Sequence, residues 1–135
     1  MRVRSYVLAA TLAAATPALA TDFQALRTDP EISAGLRWIA AADILRNSCP
    51  SVEERTWQSR RTALRLLNRA FSLGYSMGEA TEYVDSPTEQ ARVRSEATAY
   101  LRQVGVVEGD AASYCNVAQA EISKNSAIGV LLQES

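Results

Sequence analysis

The side chains of this chain that could do chemistry are two cysteines, fifteen carboxylates and thirteen arginines, in a sequence without histidine. Without histidine neither a Ser-His-Asp nor a Cys-His triad can form, and histidine-ligated metals are excluded. Two cysteines alone are also too few ligands for a zinc site. A glycosidase pair needs two carboxylates facing each other across a cleft, which the sequence does not indicate. We therefore expect no enzyme activity, no metal and no cofactor.

The two cysteines, Cys49 and Cys115, lie 66 positions apart and form no CxxC motif, so a thioredoxin-like redox site is not indicated. In an exported chain an even number of cysteines predicts a disulfide. Closing a loop of this size would stabilise the fold by about 4 kcal/mol on the chain-entropy model. We predict a structural disulfide between them.

The N-terminus carries the pattern of an export signal. Two arginines among the first four residues precede an apolar run at residues 6–15, and small residues at 18 and 20 follow a proline. We expect a signal peptide at residues 1–20, cleaved after Ala20, and a single helical domain at 21–135 that is periplasmic or secreted. The alternative, an N-terminal membrane anchor, is disfavoured because the run is short. No later stretch suggests stable membrane insertion.

The composition limits both the classes of partner that the protein can bind and the size of its core. Removing residues 1–20 leaves twelve basic and fifteen acidic residues, a modest negative balance that argues against nucleic-acid binding. A chain of this size can build only a thin core, so a covalent cross-link would help it.

Helix start signals recur along the chain. Asp29 and Pro30 offer an N-cap and a first-turn proline, and the helix should run to about Asn47. Capping boxes are predicted at residues 51–54, 76–79 and 86–89, and Asp110 would cap a fifth helix; glycines 74, 105 and 109 fall between these segments. No segment alternates with strand periodicity. We predict an all-α fold, a small orthogonal or up-down bundle of four to five helices with one disulfide.

Apolar stripes at helical spacing predict which helix faces form the core. The longest contains Trp57, Leu64, Leu67 and Phe71. The apolar tail at residues 128–132 is expected to dock on the bundle, with partner binding as the alternative.

A row of arginines, Arg61, Arg65 and Arg69, is spaced four apart on one helix edge, where like charges repel. The row is expected to pair with acids of neighbouring helices, such as Glu79, Glu82 and Asp85. The alternative is a docking face for an acidic envelope protein or an anionic surface.

Asp43 falls on the apolar side of the first helix, and Glu121, which belongs to the family pattern described below, lies one position before an isoleucine on the helix of Cys115. Asp43 is expected to pair with an arginine of another helix, and Glu121 to be a buried ion-pair acid. The glutamates of the three capping boxes, Glu54, Glu79 and Glu89, are expected to bond helix N-termini.

The chain resembles a domain-of-unknown-function family of small exported alphaproteobacterial proteins, chiefly of Rhodobacter type. The matching segments contain both cysteines and lie at residues 46–50, 74–76, 83–85, 100–110, 113–115, 121–122 and 126–132. This sequence departs from the family pattern at 116–118, where relatives commonly carry a glycine. The resemblance implies a helical fold with one cysteine pair and no known activity.

The sequence favours a non-enzymatic periplasmic module that binds a protein partner or serves the envelope. The alternative is a small-molecule or lipid binder, or a cryptic enzyme, with a site between helices near Glu121 or Tyr114.

Overall fold

The computed structural model describes residues 21–135 and contains six α-helices, a short 3-10 turn and two short strands in that part of the chain. The elements are α1 (Gln24–Thr28), α2 (Pro30–Ser48), β1 (Val52–Glu54), α3 (Thr56–Ser72), α4 (Met77–Asp85), α5 (Pro87–Gln103), α6 (Ala111–Ser123), the 3-10 turn (Gly129–Leu131) and β2 (Leu132–Glu134). The predicted all-α bundle is confirmed. The proposed signal peptide lies outside the described residues. No helix between residues 21 and 135 is long and apolar enough to cross a membrane.

Most of the predicted helix starts are confirmed. The Asp29 carboxylate accepts a hydrogen bond from the backbone N–H of Ile32 at 3.1 Å, and Asp110 does the same for Ala112. Ser76 and Glu79 form a complete capping box at the start of α4. These short-range contacts are visible in the sequence because donor and acceptor lie within three residues of each other.

The predicted capping box at residues 51–54 is wrong. Val52–Glu54 instead forms β1, which pairs antiparallel with β2 in a register that places Glu53 opposite Gln133. Helix α3 begins later, at Thr56, without a side-chain cap. Val52 is 4 % exposed, so its burial against the C-terminal tail outweighs the local capping signal. The four-residue capping motif gives no information on this strand pairing, because the partner strand lies about eighty residues further along the chain.

Helix α2 forms the centre of the main core and packs against α5 and α6. Ala41 and Leu45 on its inner face are fully buried, and Trp38 meets Tyr100 of α5 edge-on with ring centroids 4.9 Å apart. Small alanines let the helices approach closely, and the large side chains fill the space beside them.

The predicted disulfide is confirmed. Cys49 is the C-cap of α2, and its bond to Cys115 joins the end of α2 to α6. The two Cα atoms are 5.1 Å apart. The C-terminal tail docks on the same core, as predicted, since Ile128, Leu131 and Leu132 are all at most 2 % exposed.

The predicted core stripe of α3 is largely wrong. Trp57 is 69 % exposed, Leu64 59 % and Phe71 41 %. Helix α3 packs instead through Leu66 and its neighbour Ala70. Leu66 lies so close to Gly35 of α2 that a Cβ on this glycine would come within 2.5 Å of it. Periodicity shows that a helix has an apolar face, but not how much of this face its neighbours cover.

Candidate functional site

An open apolar groove runs between α2 on one side and α4 and α5 on the other. It joins two hollows of about 580 and 250 Å³, and both are lined by Leu36, Ile39, Tyr83 and Val84. We call these four residues and the space above them the apolar groove. The larger hollow continues over Leu131 and Leu132 of the docked tail, which share its floor with α2 and α5.

Helices α3 and α4 supply the walls of the smaller hollow. Ala63 and Leu67 come from α3, and Met77 and Thr81 come from α4. Met77 is 56 % exposed, and Val84, two turns further along α4, is 45 % exposed. Residues 77, 81 and 84 follow one another at one-turn spacing, so they form a ridge along the side of the groove. Apolar surface of this kind, open to solvent and continuous with a groove, is typical of an interaction site.

Charged side chains lie at one end of the groove. The Asp43 carboxylate accepts a hydrogen bond from Arg46 at 2.6 Å and lies 3.7 Å from Arg94 of α5. The predicted pairing of Asp43 with an arginine of another helix is therefore confirmed. Asp43 belongs to the rim of the larger hollow.

An ionic cluster around the buried Glu89 contacts the groove residue Tyr83. Arg92 donates hydrogen bonds to the Tyr83 hydroxyl at 3.0 Å and to Glu89 at 3.1 Å. Arg27 of α1 contacts the other Glu89 oxygen at 2.5 Å, and Arg92 also reaches Glu96. Glu89 is thus not the capping acid that the sequence indicated, although Ser86 does cap α5. The cluster ties α1, α4 and α5 together, and Glu89 itself lines the larger hollow of the groove.

The surrounding residues shift the pKa values of Glu89, Tyr83 and Asp29. Burial alone would raise the pKa of Glu89, but the hydrogen bonds from Arg27 and Arg92 outweigh it and hold the pKa below its ordinary value of 4.5. Burial and the nearby Glu89 charge raise the pKa of Tyr83. The hydrogen bond from Arg69 lowers the pKa of Asp29 below 3.8.

Acid is therefore expected to destabilise the fold through Asp29 and Glu89. Because the folded-state pKa of each is below its unfolded value, their contribution is complete above about pH 4.5 and is lost as the pH falls through the folded values. Urea midpoints between pH 7 and pH 2.5 should decline most steeply in the acid range. Glu89→Gln should lower the midpoint at pH 7 and flatten the decline. Glu108→Gln is the control, since its side chain is 81 % exposed; equal profiles for both variants would contradict the prediction.

The arginine row lies on the side of α3 that faces the start of α2. Arg69 donates two hydrogen bonds to Asp29, at 2.7 and 3.0 Å, and Arg65 lies 3.7 Å from Glu31. Within residues 21–135, Arg61 has no ion-pair partner. The row is thus partly neutralised, as expected, but by the start of α2. The acids of α4 named above, Glu79, Glu82 and Asp85, do not pair with it in the described part of the chain.

Glu121 is buried, as predicted, with 1 % exposure. Its carboxylate accepts hydrogen bonds from Lys124 and from the Tyr100 hydroxyl, each at 3.4 Å. Burial and the Glu121 charge raise the pKa of Tyr100. Neither Glu121 nor Tyr114 lines the apolar groove, so the groove is not at the place the sequence suggested. Residues 21–135 contain no cluster of three or more potential metal ligands.

Sequence reasoning missed the groove residues. Leu36, Ile39 and Val84 look like ordinary core positions in the sequence. The available signal was α4 itself, which is nine residues long and carries Met77, Tyr83 and Val84, more apolar surface than so short a helix can bury against one neighbour.

The fold and the groove together define a small helical protein with one disulfide and an open apolar groove. A family model described as "Family of unknown function (DUF5333)" matches residues 24–133, and the chain belongs to this family. Comparisons with curated proteins and with solved structures gave no match.

Proposed function

We propose that this is an exported, non-enzymatic binding protein whose apolar groove receives an amphipathic helix of an acidic envelope protein. The observation that carries the proposal is the exposed apolar ridge of α4, with Met77 and Val84 standing beside a groove that is apolar along its floor. A partner helix with side chains at one-turn spacing would interdigitate with such a ridge.

Arg60 supports an acidic partner, because at 100° per residue it lies next to Leu67 on the groove side of α3. It is exposed and has no ion-pair partner among residues 21–135. A carboxylate on the adjoining flank of a partner helix would meet this charge, which favours both encounter rate and orientation.

The disulfide supports export to the periplasm or outside the cell. Disulfides persist in oxidising compartments and are rare in the cytosol. Export also agrees with the signal pattern at residues 1–20.

A second candidate is the binding of a small apolar molecule, such as an acyl chain. The larger hollow, at about 580 Å³, is within the usual range of ligand sites. A protein helix is preferred because both hollows open to solvent, whereas ligand sites enclose most of the ligand surface. A cryptic enzyme has less support, since two of the three acids that line the larger hollow, Asp43 and Glu89, are already paired with arginines.

Photocrosslinking in living cells tests the groove proposal. A photoreactive residue in place of Val84 is expected to give a discrete protein adduct, and the crosslinked peptide should show apolar residues at helical spacing and flanking acids. The same residue in place of Val107 is the control. Val107 is 59 % exposed but does not line the groove. Adducts with lipid alone, or identical adducts at both positions, would contradict the proposal.

A binding measurement completes this test. A synthetic peptide with the crosslinked sequence should bind the protein, and Val84→Asp should weaken the affinity at least about tenfold, as loss of a buried apolar contact does in other interfaces. Val107→Asp should leave the affinity unchanged. Equal affinities for the two variants would show that the groove is not the binding site.

A further inference from the structure

We infer that the outer face of α3 docks on an anionic lipid surface, with the helix lying parallel to the membrane plane. The face consists of Trp57, Leu64 and Phe71, which we call the α3 stripe. The inference does not depend on the groove, which lies on another side of α3 and is lined by different residues of that helix.

The α3 stripe is a straight, exposed line. Its members are seven residues apart, so they recur every two turns with little angular drift and extend over about 21 Å. All three are large and apolar, and the least exposed of them, Phe71, is still 41 % accessible. All three keep a large exposed fraction among residues 21–135. An exposed line of this kind can contact a planar interface, with its Trp57 end beside Glu53 and Glu54.

Arginines flank the stripe on both sides. At 100° per residue, Arg60 lies on one side of the Trp57–Leu64 line and Arg61 on the other. Both are exposed, and neither has an ion-pair partner in the described residues. Helix α3 contains no acidic residue. An apolar stripe with Trp and Phe, bordered by cations on a helix without acids, has the composition of an interfacial helix on anionic lipid.

A lipid surface fits the stripe better than the other possible occupants. A second copy of this chain would bring together two helices whose charged residues are all arginine, and like charges oppose this contact. A protein helix would need a concave seat, which the groove offers and the stripe does not. Tryptophan favours the membrane–water interface, where its ring is buried among the headgroups, and Trp57 is the most exposed large apolar residue of the described chain.

Tryptophan emission gives a direct test, because the protein contains only two tryptophans, Trp38 and Trp57. In a Trp38→Phe background, which keeps an aromatic ring against Tyr100, the signal reports Trp57 alone. The protein is purified after export, and mass spectrometry identifies its N-terminal residue. It is then mixed with vesicles of phosphatidylglycerol and phosphatidylcholine. We expect a blue shift of the emission and co-sedimentation with these vesicles, and much weaker binding to pure phosphatidylcholine.

Matched variants distinguish binding through the α3 stripe from non-specific adsorption of the protein to vesicles. Arg61→Gln should weaken vesicle binding about fivefold, the effect expected of one cation at an anionic surface, and Phe71→Ser should weaken it further. Arg102→Gln and Val107→Ser are controls on another surface and should have no effect; thermal melts check that all variants fold.

Three results would overturn the inference. These are equal binding to neutral and anionic vesicles, no blue shift of Trp57, or a dimer in sedimentation that disappears with Phe71→Ser. The groove variant Val84→Asp should bind vesicles normally, so failure here leaves the groove proposal to its own test.

Discussion

Gly129→Ala is expected to destabilise the protein by about 3 kcal/mol or more, the range of severe overpacking in a closed core. A Cβ at this position would lie 1.9 Å from the backbone oxygen of Glu121 and 2.3 Å from its carbonyl carbon. The obstacle is main chain in α6, which cannot move aside as a flexible side chain can. Either the tail or the end of α6 would have to shift.

Neighbouring hydrogen bonds hold the tail in this close contact. The Gly129 N–H donates to the Ser126 hydroxyl at 2.9 Å, and that hydroxyl donates to the Glu121 carbonyl at 3.3 Å. Withdrawal of the tail would break both bonds and expose Leu131 and Leu132, which are at most 2 % exposed. The variant therefore has no inexpensive way to relax.

Urea unfolding of Gly129→Ala and Gly78→Ala provides the measurement and its control. Gly78 lies within α4, and an added Cβ would meet nothing closer than the Ser76 hydroxyl at 3.9 Å. Alanine should stabilise this helix by up to about 1 kcal/mol. A Gly129→Ala midpoint equal to that of the wild type would show that the tail does not pack on α6 as described.

Removal of the disulfide by Cys49→Ala with Cys115→Ala is expected to cost about 4 kcal/mol, the chain-entropy value for a loop of this length. The bond spans 66 positions and joins the end of α2 to α6. Since a domain of this size is marginally stable, the double variant should be partly unfolded at 37 °C.

Comparison with reduced wild-type protein isolates the effect of the cross-link. Reduction opens the loop without changing side-chain volume, so its free energy of unfolding should agree with that of the double variant within about 1 kcal/mol. Circular dichroism at low temperature should show retained helix in both. If the double variant unfolds at the same urea concentration as the oxidised wild type, the disulfide is not the main constraint on the fold.

Much of the fold could be predicted because its signals are local. Asp29, Ser76 and Asp110 each bond a backbone N–H no more than three residues away, and such pairs are readable in a single sequence. The disulfide was also predictable, since an even cysteine count in a chain with an export pattern leaves one pairing. The docking of the C-terminal tail followed from its apolar composition.

The errors have a common physical cause, which is competition from residues far along the chain. Glu54 does not cap a helix, because its segment pairs as a strand with the C-terminal tail. The Glu89 side chain accepts a hydrogen bond from Arg27 of α1 and not from the backbone at the start of α5. The arginine row met Asp29 and Glu31 rather than the acids of α4. In each case a local motif was present, but a partner outside any short window offered the better contact.

The sequence by itself determined that this chain forms amphipathic helices with caps at known places, joined by one disulfide, and that histidine-based chemistry is excluded. Only the tertiary structure decided which apolar faces are covered. Helix periodicity marks Val84 and Trp57 as apolar-face residues just as it marks Leu45. Packing buries Leu45 and leaves the other two exposed, one beside the groove and one on the α3 stripe, because coverage depends on the placement of neighbouring helices.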